Sequence, residues 1–326
     1  MLQALLLVLV FSLIFLIILP NYHKKHEKLN LPPGPKGLPF IGNLHEFDSS
    51  AAHLYFSKLA KTYGPILSLR FGCRSVVVIQ SAALAKEVLK TQDHNFCTRP
   101  SLVGQQRLSY NGSDIVFAPY NECFRELRKL CVVHLFSSKK VQSCAPIRRE
   151  EVSRMIQKIT SLSSASKVVN LSNLLVALTS SIICRVAFGK RYVDEGVEKS
   201  RFHEVLNEVQ AILAAPFFTD YFPFLGSWLD KLTGLSSRLE KVFKKMDEFY
   251  DEIINDHLDP NRPKDDNHED VIDVLLQLRQ ERCFSFELTL DHIKAVLMVN
   301  STFCTYLRAL NYIEVAIFAS YTLKKG

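Results

Sequence analysis

Cysteine is the residue type with the widest chemical range in this chain, because a thiolate can ligate a metal or attack an electrophile. The eight cysteines stand singly, at positions 73, 97, 123, 131, 144, 184, 283 and 304. No two form a C-x-x-C pair and no histidine lies at metal-ligand spacing, so the sequence predicts neither a zinc site nor a disulfide framework. We expect reduced, mostly buried thiols in a cytosolic compartment.

Basic residues cluster in the run Phe124-Arg125-Glu126-Leu127-Arg128-Lys129. The guanidinium of an arginine presents a planar fork of donors and stays charged at any working pH. The plainer interpretation is that Arg125, Arg128 and Lys129 form the solvated face of a helix. The net charge of +7 is spread over the chain without an aromatic-interleaved basic stripe, so we expect no nucleic acid partner.

An apolar N-terminal segment comes first among the elements that position these residues. Leu2 to Leu19 contains only Gln3 and Ser12 as polar residues, and as a helix it would rise about 27 Å, close to the hydrocarbon thickness of a bilayer. Lysines follow it and none precedes it, which places the remaining chain on the cytosolic side. The basic start and small-residue cleavage site of a secretory signal are missing. We therefore predict a single transmembrane anchor at residues 1–20.

Residues 21–39 separate this anchor from the body. Lys24, Lys25 and Lys28 come first in this segment. They are followed by Leu31-Pro32-Pro33-Gly34-Pro35, through which no helix can continue. We predict a basic stop followed by a stiff, polyproline-like hinge. The chain as a whole is 48% apolar and 22% charged, which indicates a folded body with a real core.

The pattern after the hinge predicts one helix, a hairpin and then mostly helices. The helix covers Ala51 to Tyr63 and ends at Gly64-Pro65. The hairpin pairs Ile66–Arg70 with Ser75–Ile79 around a short turn, and Ser81 is the expected N-cap of the next helix.

The spacing of apolar residues predicts the elements of the later part of the body. The stretch from Pro100 to Pro119 has no periodic spacing of apolar residues and is long for a connection, so it is either a functional or a mobile loop. Leu171 to Phe188 is apolar nearly all round and should be buried, whereas Arg238 to Leu258 should be an amphipathic surface helix. Asp259 to Asp270 should be a solvated loop whose acids are solubilising charge.

Six motifs occur in an order that resembles one family. They are the anchor, the Leu31–Pro35 hinge, Tyr63-Gly64-Pro65, Phe96-Cys97-Thr98-Arg99-Pro100, the Phe124–Lys129 run and Phe188-Gly189-Lys190-Arg191. The chain resembles the N-terminal part of a cytochrome P450 of the plant microsomal A-type group, which includes aldoxime-oxidising enzymes. The resemblance implies a mainly α fold with a small β-sheet behind a single transmembrane helix. It covers a partial P450 domain at residues 40–298, followed by a divergent tail at residues 299–326.

The resemblance also implies an activity and a cofactor. The family's members are haem-dependent monooxygenases that use O2 and an NADPH-dependent reductase to oxidise small lipophilic plant metabolites. Their site would be the endoplasmic reticulum membrane, with the body in the cytosol. In the family's W-x-x-x-R motif the arginine binds a haem propionate; Arg128 fills that position here, and Phe124 replaces the tryptophan.

The substrate cavity is likewise assigned by resemblance. Ser101 to Phe117 would cover it and Val209 to Phe218 would form its roof. The candidate wall residues, each of which could equally be ordinary core, are Leu108, Ile115, Phe117, Leu213 and Phe217.

Two elements of the family's chemistry do not match. The axial thiolate comes from an F-x-x-G-x-R-x-C-x-G loop, and no cysteine of this chain stands in that pattern. The proton-relay stretch A-G-T-D-T should fall on residues 303–307, where only Thr305 agrees.

We therefore expect a truncated, inactive chain with no catalytic or metal-ligating residue of its own, whose retention of haem stays open. Its inner faces at Leu171–Phe188 and Asp291–Met298 should be uncovered. The alternative is a membrane-anchored, non-enzymatic fragment that binds apolar ligands or partner monooxygenases.

Overall fold

The computed structural model describes residues 30–48, 51–191, 197–262, 269–281 and 286–309, with side chains up to residue 300. The predicted anchor at residues 1–20 and the predicted tail after residue 309 lie outside the described residues. Those through Phe96 form one compact unit and those from Cys97 onward form a second.

The first unit contains the predicted helix and hairpin. Its elements are α1 (Ala52–Tyr63), β1 (Ile66–Phe71), β2 (Arg74–Ile79), α2 (Ala82–Lys86) continued by a π-helical turn (Glu87–Thr91), and α3 (Asp93–Phe96). The strands pair antiparallel, with Leu69 opposite Val76, around a turn in which Gly72 has φ of 59°. The Ser81 hydroxyl accepts a hydrogen bond from the Leu84 amide at 3.2 Å, which confirms the predicted N-cap.

The proline-rich hinge packs along β1. The Pro33 carbonyl accepts a hydrogen bond from the Ser68 amide at 3.0 Å, and the Pro32 carbonyl accepts one from the Ser68 hydroxyl at 2.7 Å. A Cβ at Gly34 would lie 1.9 Å from the Ser68 carbonyl oxygen. Only glycine permits this approach, which is the physical reason for a glycine between the prolines.

The described part of the second unit consists of helices and the segments that connect them, and contains no strand. Its elements are α4 (Val103–Leu108), α5 (Glu122–Leu130) continued by a π-helical turn (Cys131–Leu135), α6 (Ser138–Ser143), α7 (Ala145–Ser164), α8 (Leu171–Phe188), α9 (Val197–Leu213), α10 (Phe218–Tyr221), α11 (Gly226–Leu232), α12 (Leu235–Leu258), α13 (Val271–Glu281) and α14 (Leu290–Ala309). The stretch predicted as a loop at 100–119 therefore contains α4. This helix has too few turns to show a period against the glycine and asparagine around it.

The core of the second unit is one hydrophobic cluster in which α14 is central. Ile293, Leu297 and Met298 are fully buried, because α8, α9 and α12 pack around the start of this helix. The expectation that the inner face of Asp291–Met298 is uncovered was therefore wrong. Helices that come earlier in the chain cover it.

Helix α8 is buried only along its C-terminal half. Cys184 and Phe188 are fully buried, whereas Leu171 is 53% and Leu175 is 46% exposed. The prediction of burial all along this helix was wrong for its first half, because α14 and α7 cover the later turns. Among the described helices α8 has the length and composition to span a membrane, and its C-terminal half packs in the hydrophobic core.

Helix α12 confirms the prediction of an amphipathic helix at Arg238–Leu258. Leu239, Val242, Met246, Phe249 and Ile253 are all buried on one face. The prediction that Asp259–Asp270 is a solvated loop was wrong for its last residue, because Asp270 is only 5% exposed. Long-range ion pairs, described next, remove this carboxylate from water.

A buried charge cluster joins the ends of α12 and α8 to the start of α13. His257 Nε2 lies 2.9 Å from Asp270 Oδ2, and the Arg262 guanidinium lies 3.1 Å from the same oxygen. A Cβ at Gly189 would lie 2.7 Å from Asp270 Oδ2, so the glycine of the Phe188–Arg191 motif leaves room for this carboxylate. His257, Asp270 and Asp273 have their donor atoms close enough to hold a metal, but Arg262 already pairs with both carboxylates.

Candidate functional site

Helix α5 carries the basic run and is placed by three local features. The Asn121 side chain caps it by accepting a hydrogen bond from the Phe124 amide at 2.8 Å. Leu127 and Leu130 are buried in the core. Cys123 Sγ lies 3.5 Å from His292 Nε2, so the first turn of α5 touches the first turn of α14.

The predicted propionate-binding pair lies on one face of α5. Phe124 and Arg128 are four residues apart and therefore follow each other on the helix surface. Phe124 is partly buried and its ring centroid is 5.8 Å from that of Tyr120, whereas Arg128 is exposed. Within the described part of the chain, the Arg128 guanidinium has no hydrogen bond or ion pair. It is available to bind an anionic ligand.

Lys129, the neighbouring cation, differs in its surroundings. Its side chain is 72% exposed and its ammonium lies 4.0 Å from the Glu126 carboxylate, the limiting distance of an ion pair. This position agrees with the expectation that Lys129 faces solvent.

The five predicted wall residues lie in or against the same hydrophobic cluster. Leu108 and Phe217 are fully buried, whereas Ile115, Phe117 and Leu213 are partly buried and pack against it. Gly104 allows this arrangement, because a Cβ there would lie 2.9 Å from the Phe217 ring. The structure thus brings the predicted cover and the predicted roof of the cavity into contact.

Asp114 holds the segment between α4 and α5 in its shape. The carboxylate is fully buried, and its Oδ1 accepts a hydrogen bond from the Phe117 amide at 2.9 Å. Burial raises the pKa of Asp114 to about 6, against the lowering effect of backbone hydrogen bonds. Its Oδ2 has no hydrogen-bond partner in the structure. Sequence reasoning missed this residue, because an aspartate between turn residues is usually exposed.

A groove of about 530 Å³ lies elsewhere on the second unit, between α6, α13 and the turn after α5. Val133, His134, Lys140 and Leu278 are among its lining residues. None of the predicted wall residues belongs to it.

Two of the described thiols lie in surroundings that disfavour a thiolate. None of the six described cysteines forms a disulfide, and Cys131, Cys144 and Cys184 are buried. Burial raises the pKa of the Cys131 thiol to about 12 and also raises the pKa of Cys123. A thiolate ligand needs the opposite shift. Among the described residues Arg128 has the donor chemistry that a haem propionate needs, whereas the pKa shifts of Cys123 and Cys131 are opposite to that of a thiolate ligand.

Comparison with models of protein families tests the family assignment that the sequence motifs indicate. The cytochrome P450 model matches residues 32–302. The chain belongs to the cytochrome P450 family. A zebra fish cytochrome P450 determined with progesterone has the same fold, with a TM-score of 0.58 at 22% sequence identity over 76% of this chain and 54% of that one.

Plant P450s are among the curated relatives. The 5-OH-xanthotoxin synthase of Ammi majus is 44% identical over 297 residues, which are 90% of this chain and 58% of that protein. Cytochrome P450 83A1 of Arabidopsis thaliana is 42% identical over 84% of this chain and 54% of its own length. The chain thus spans about half the length of these relatives.

The family resemblance implies that Asp291–Met298 begins the family's long central helix, and α14 (Leu290–Ala309) starts at that place. Its backbone is helical through residues 303–307, the positions aligned with the proton-relay stretch, whose side chains lie outside the described set. Sequence reasoning missed a different group of residues in this P450, namely the acidic side chains of α12 that bind Arg107 in α4 and Tyr110 just after it. Nothing local marks them, because each has its partner more than 40 residues away.

Proposed function

We propose that this chain supplies the anchor, the substrate cover and the propionate-binding helix of a microsomal haem-thiolate monooxygenase. Arg128 carries the proposal, since its guanidinium is exposed, has no partner among the described residues and lies on α5, whose first turn touches α14. A planar, permanently charged donor at that place is suited to a propionate.

Each residue has a defined role in this proposal. Arg128 binds and neutralises one propionate, and Phe124 packs beside it without donating a hydrogen bond to the second. Leu108, Ile115, Phe117, Leu213 and Phe217 form an apolar wall that excludes water and orients a lipophilic substrate. Haem ligated by a thiolate supplies the oxygen-activating chemistry when it is bound. Exposed cations such as Lys129 are available to an NADPH-dependent reductase.

The substrate class is proposed from the relatives. Three have names that describe coumarin-type chemistry: 5-OH-xanthotoxin synthase, 6,7,8-trihydroxycoumarin synthase and xanthotoxol synthase. Flat, lipophilic coumarin-type compounds are therefore the first substrates to test, within the broader class of small lipophilic plant metabolites.

Membrane association at the endoplasmic reticulum is proposed from sequence and surface together. Besides the apolar segment at residues 1–20, four large apolar side chains between α10 and the end of α11 are exposed: Phe224 at 93%, Leu225 at 66%, Trp228 at 62% and Leu232 at 68%. An exposed patch with tryptophan is typical of a surface that meets the headgroup region of a bilayer.

Alkaline carbonate extraction of microsomes tests this location. We expect the full chain to stay in the membrane pellet, because the apolar segment is long enough to span the bilayer. We also expect no glycan on Asn111, which lies in an Asn-Gly-Ser sequence but should face the cytosol. Release into the supernatant, or a glycan on Asn111, would show that the topology is wrong.

A chimera tests the activity. Residues 32–302 of this chain replace the matching region of the Ammi majus protein, which contributes the remainder. With reductase and NADPH we expect oxidation of a coumarin-type compound. A folded chimera that binds haem but oxidises none of these compounds would favour the non-enzymatic, ligand-binding alternative.

A further inference from the structure

Helix α14 begins with a capping box in which a histidine takes the place usually held by glutamate or glutamine. Thr289 directly precedes the helix, and its hydroxyl accepts a hydrogen bond from the His292 amide at 3.4 Å. The His292 ring returns the contact, because its Nδ1 accepts a hydrogen bond from the Thr289 amide at 3.3 Å. The Thr289 hydroxyl also lies 2.7 Å from Nδ1 and can donate to it.

These contacts fix the protonation state of the imidazole ring. Nδ1 faces two donors and therefore carries no hydrogen, so a neutral ring has its hydrogen on Nε2. Burial lowers the pKa of His292, against the smaller, opposite effect of the Asp291 carboxylate on the same helix. The groups that face the ring from other segments are the Cys123 thiol and the Phe286 ring, and neither is a charged group. The ring is therefore neutral at neutral pH.

The second nitrogen of the ring reaches helix α5. His292 Nε2 lies 3.5 Å from Cys123 Sγ, in the first turn of that helix, so its N–H donates to the sulfur. Burial raises the pKa of the Cys123 thiol, so the sulfur is a neutral acceptor. One imidazole thus caps the start of α14 and holds the start of α5.

The turn that is held in this way leads into the predicted propionate-binding pair. Phe124 directly follows Cys123, and Arg128 lies five residues, about 1.4 helical turns, beyond Cys123. Leu127 and Leu130 bury the later part of the helix in the core. If the first turn moved relative to α14, α5 would tilt or rotate about these leucines, and the direction of the Arg128 guanidinium would change.

We propose that His292 and Cys123 are positioning residues for haem binding, in which one neutral imidazole caps α14 and fixes the propionate-binding helix α5 against it. The haem part of this inference rests on the proposed function. The pair acts through the placement of Arg128 and not by contact with the propionate. No local pattern marks it, because the two residues are 169 positions apart in the sequence.

Two substitutions of the ring separate its two hydrogen bonds. In His292→Asn the amide oxygen takes the place of Nδ1 and keeps the cap, but no donor reaches the thiol. In His292→Gln the amide nitrogen takes the place of Nε2 and keeps the donor, but the cap is lost. Cys123→Ala removes the acceptor and Cys123→Ser returns one. The matched control is Cys73→Ala, which removes another partly exposed thiol, in the first unit.

Hydrogen–deuterium exchange of the full chain in mild detergent tests the link between the helices without haem. We expect peptides covering residues 121–127 to exchange about fivefold faster in His292→Asn and Cys123→Ala, because one hydrogen bond is lost. Peptides covering residues 289–295 should be unchanged in these two variants and should exchange faster in His292→Gln. Cys123→Ser and the control should exchange like the unmodified chain. Unchanged exchange at 121–127 in His292→Asn and Cys123→Ala, or equal acceleration of both segments in both ring variants, would overturn the link.

Haem transfer from the chimera to apomyoglobin tests the positioning role. We expect His292→Asn and Cys123→Ala to lose haem about three- to tenfold faster, and His292→Gln and Cys123→Ser to keep nearly the unmodified rate. Unmodified haem loss in variants whose α5 exchanges faster would overturn the positioning role. A chimera that binds no haem would contradict the proposed function and this role with it, whereas the link between the helices is judged by hydrogen exchange alone.

Discussion

Replacing Asp270 by asparagine should lower the free energy of unfolding by about 3–5 kcal/mol, because it breaks a buried ion pair and leaves its partner uncompensated. His257 Nδ1 faces the Ile253 carbonyl at 2.7 Å and Nε2 faces the Asp270 carboxylate at 2.9 Å. Both ring nitrogens therefore face oxygen acceptors, which a doubly protonated ring can satisfy at the same time. Its side chain is fully buried.

Urea unfolding of the full chain in mild detergent, followed by circular dichroism, measures this loss. The matched control is Glu252→Gln, which removes an exposed pair with Arg201 and should cost no more than about 1 kcal/mol. If both variants lost the same free energy of unfolding, the buried cluster would stabilise the fold no more than an exposed ion pair does.

The pH dependence of the same cluster has a definite sign. Burial raises the pKa of Asp270, but the hydrogen bonds and charges of His257 and Arg262 outweigh it and hold the pKa below its usual range. The stabilisation is therefore fully present above the unfolded-state pKa, about 3.9, and is lost as the pH falls through the lower folded-state pKa. The difference between the unmodified chain and Asp270→Asn should shrink on acidification. A difference that grows below pH of about 4 would contradict this assignment.

Replacing Arg128 by alanine in the chimera should weaken haem binding by roughly 10- to 150-fold. A charge-assisted hydrogen bond to the propionate, worth about 1.5–3 kcal/mol, would be lost. The rate of haem transfer to apomyoglobin measures the effect. Lys129→Ala is the neighbouring control and should leave the rate unchanged, because that side chain is 72% exposed. Equal haem loss in both variants would mean that Arg128 does not bind the propionate.

Local signals account for the elements that the sequence predicts well. Ser81 caps its helix, Gly72 turns the hairpin and the apolar period of α12 reports its buried face, since each depends on residues within a few positions. Only the three-dimensional structure explains why two of the sequence motifs contain a glycine. Gly34 admits the Ser68 carbonyl and Gly189 admits the Asp270 carboxylate, two contacts between residues far apart in the chain.

The charged residues are where sequence reasoning fails. A carboxylate on the polar side of a helix has the same pattern whether it stays exposed beside a lysine of its own helix, as Glu248 does, or pairs with a buried lysine from another helix, as Asp247 does. Asp270 illustrates the same limit, because its partners in the cluster and the glycine beside it come from α12, the following turn and the end of α8. Burial of α8 could not be predicted in full either, since composition alone does not say which half of an apolar helix other helices cover.

The ferrous carbon monoxide spectrum of the chimera tests the central claim, that this chain supplies one side of a haem-thiolate site. The chimera joins residues 32–302 to a relative's remaining half, whereas the present chain has no cysteine in the family's ligand pattern. We predict the Soret band of thiolate-ligated haem in the chimera and its absence from the chain alone with added haem. A chimera that folds but lacks the band, or a chain that shows it alone, would contradict the claim.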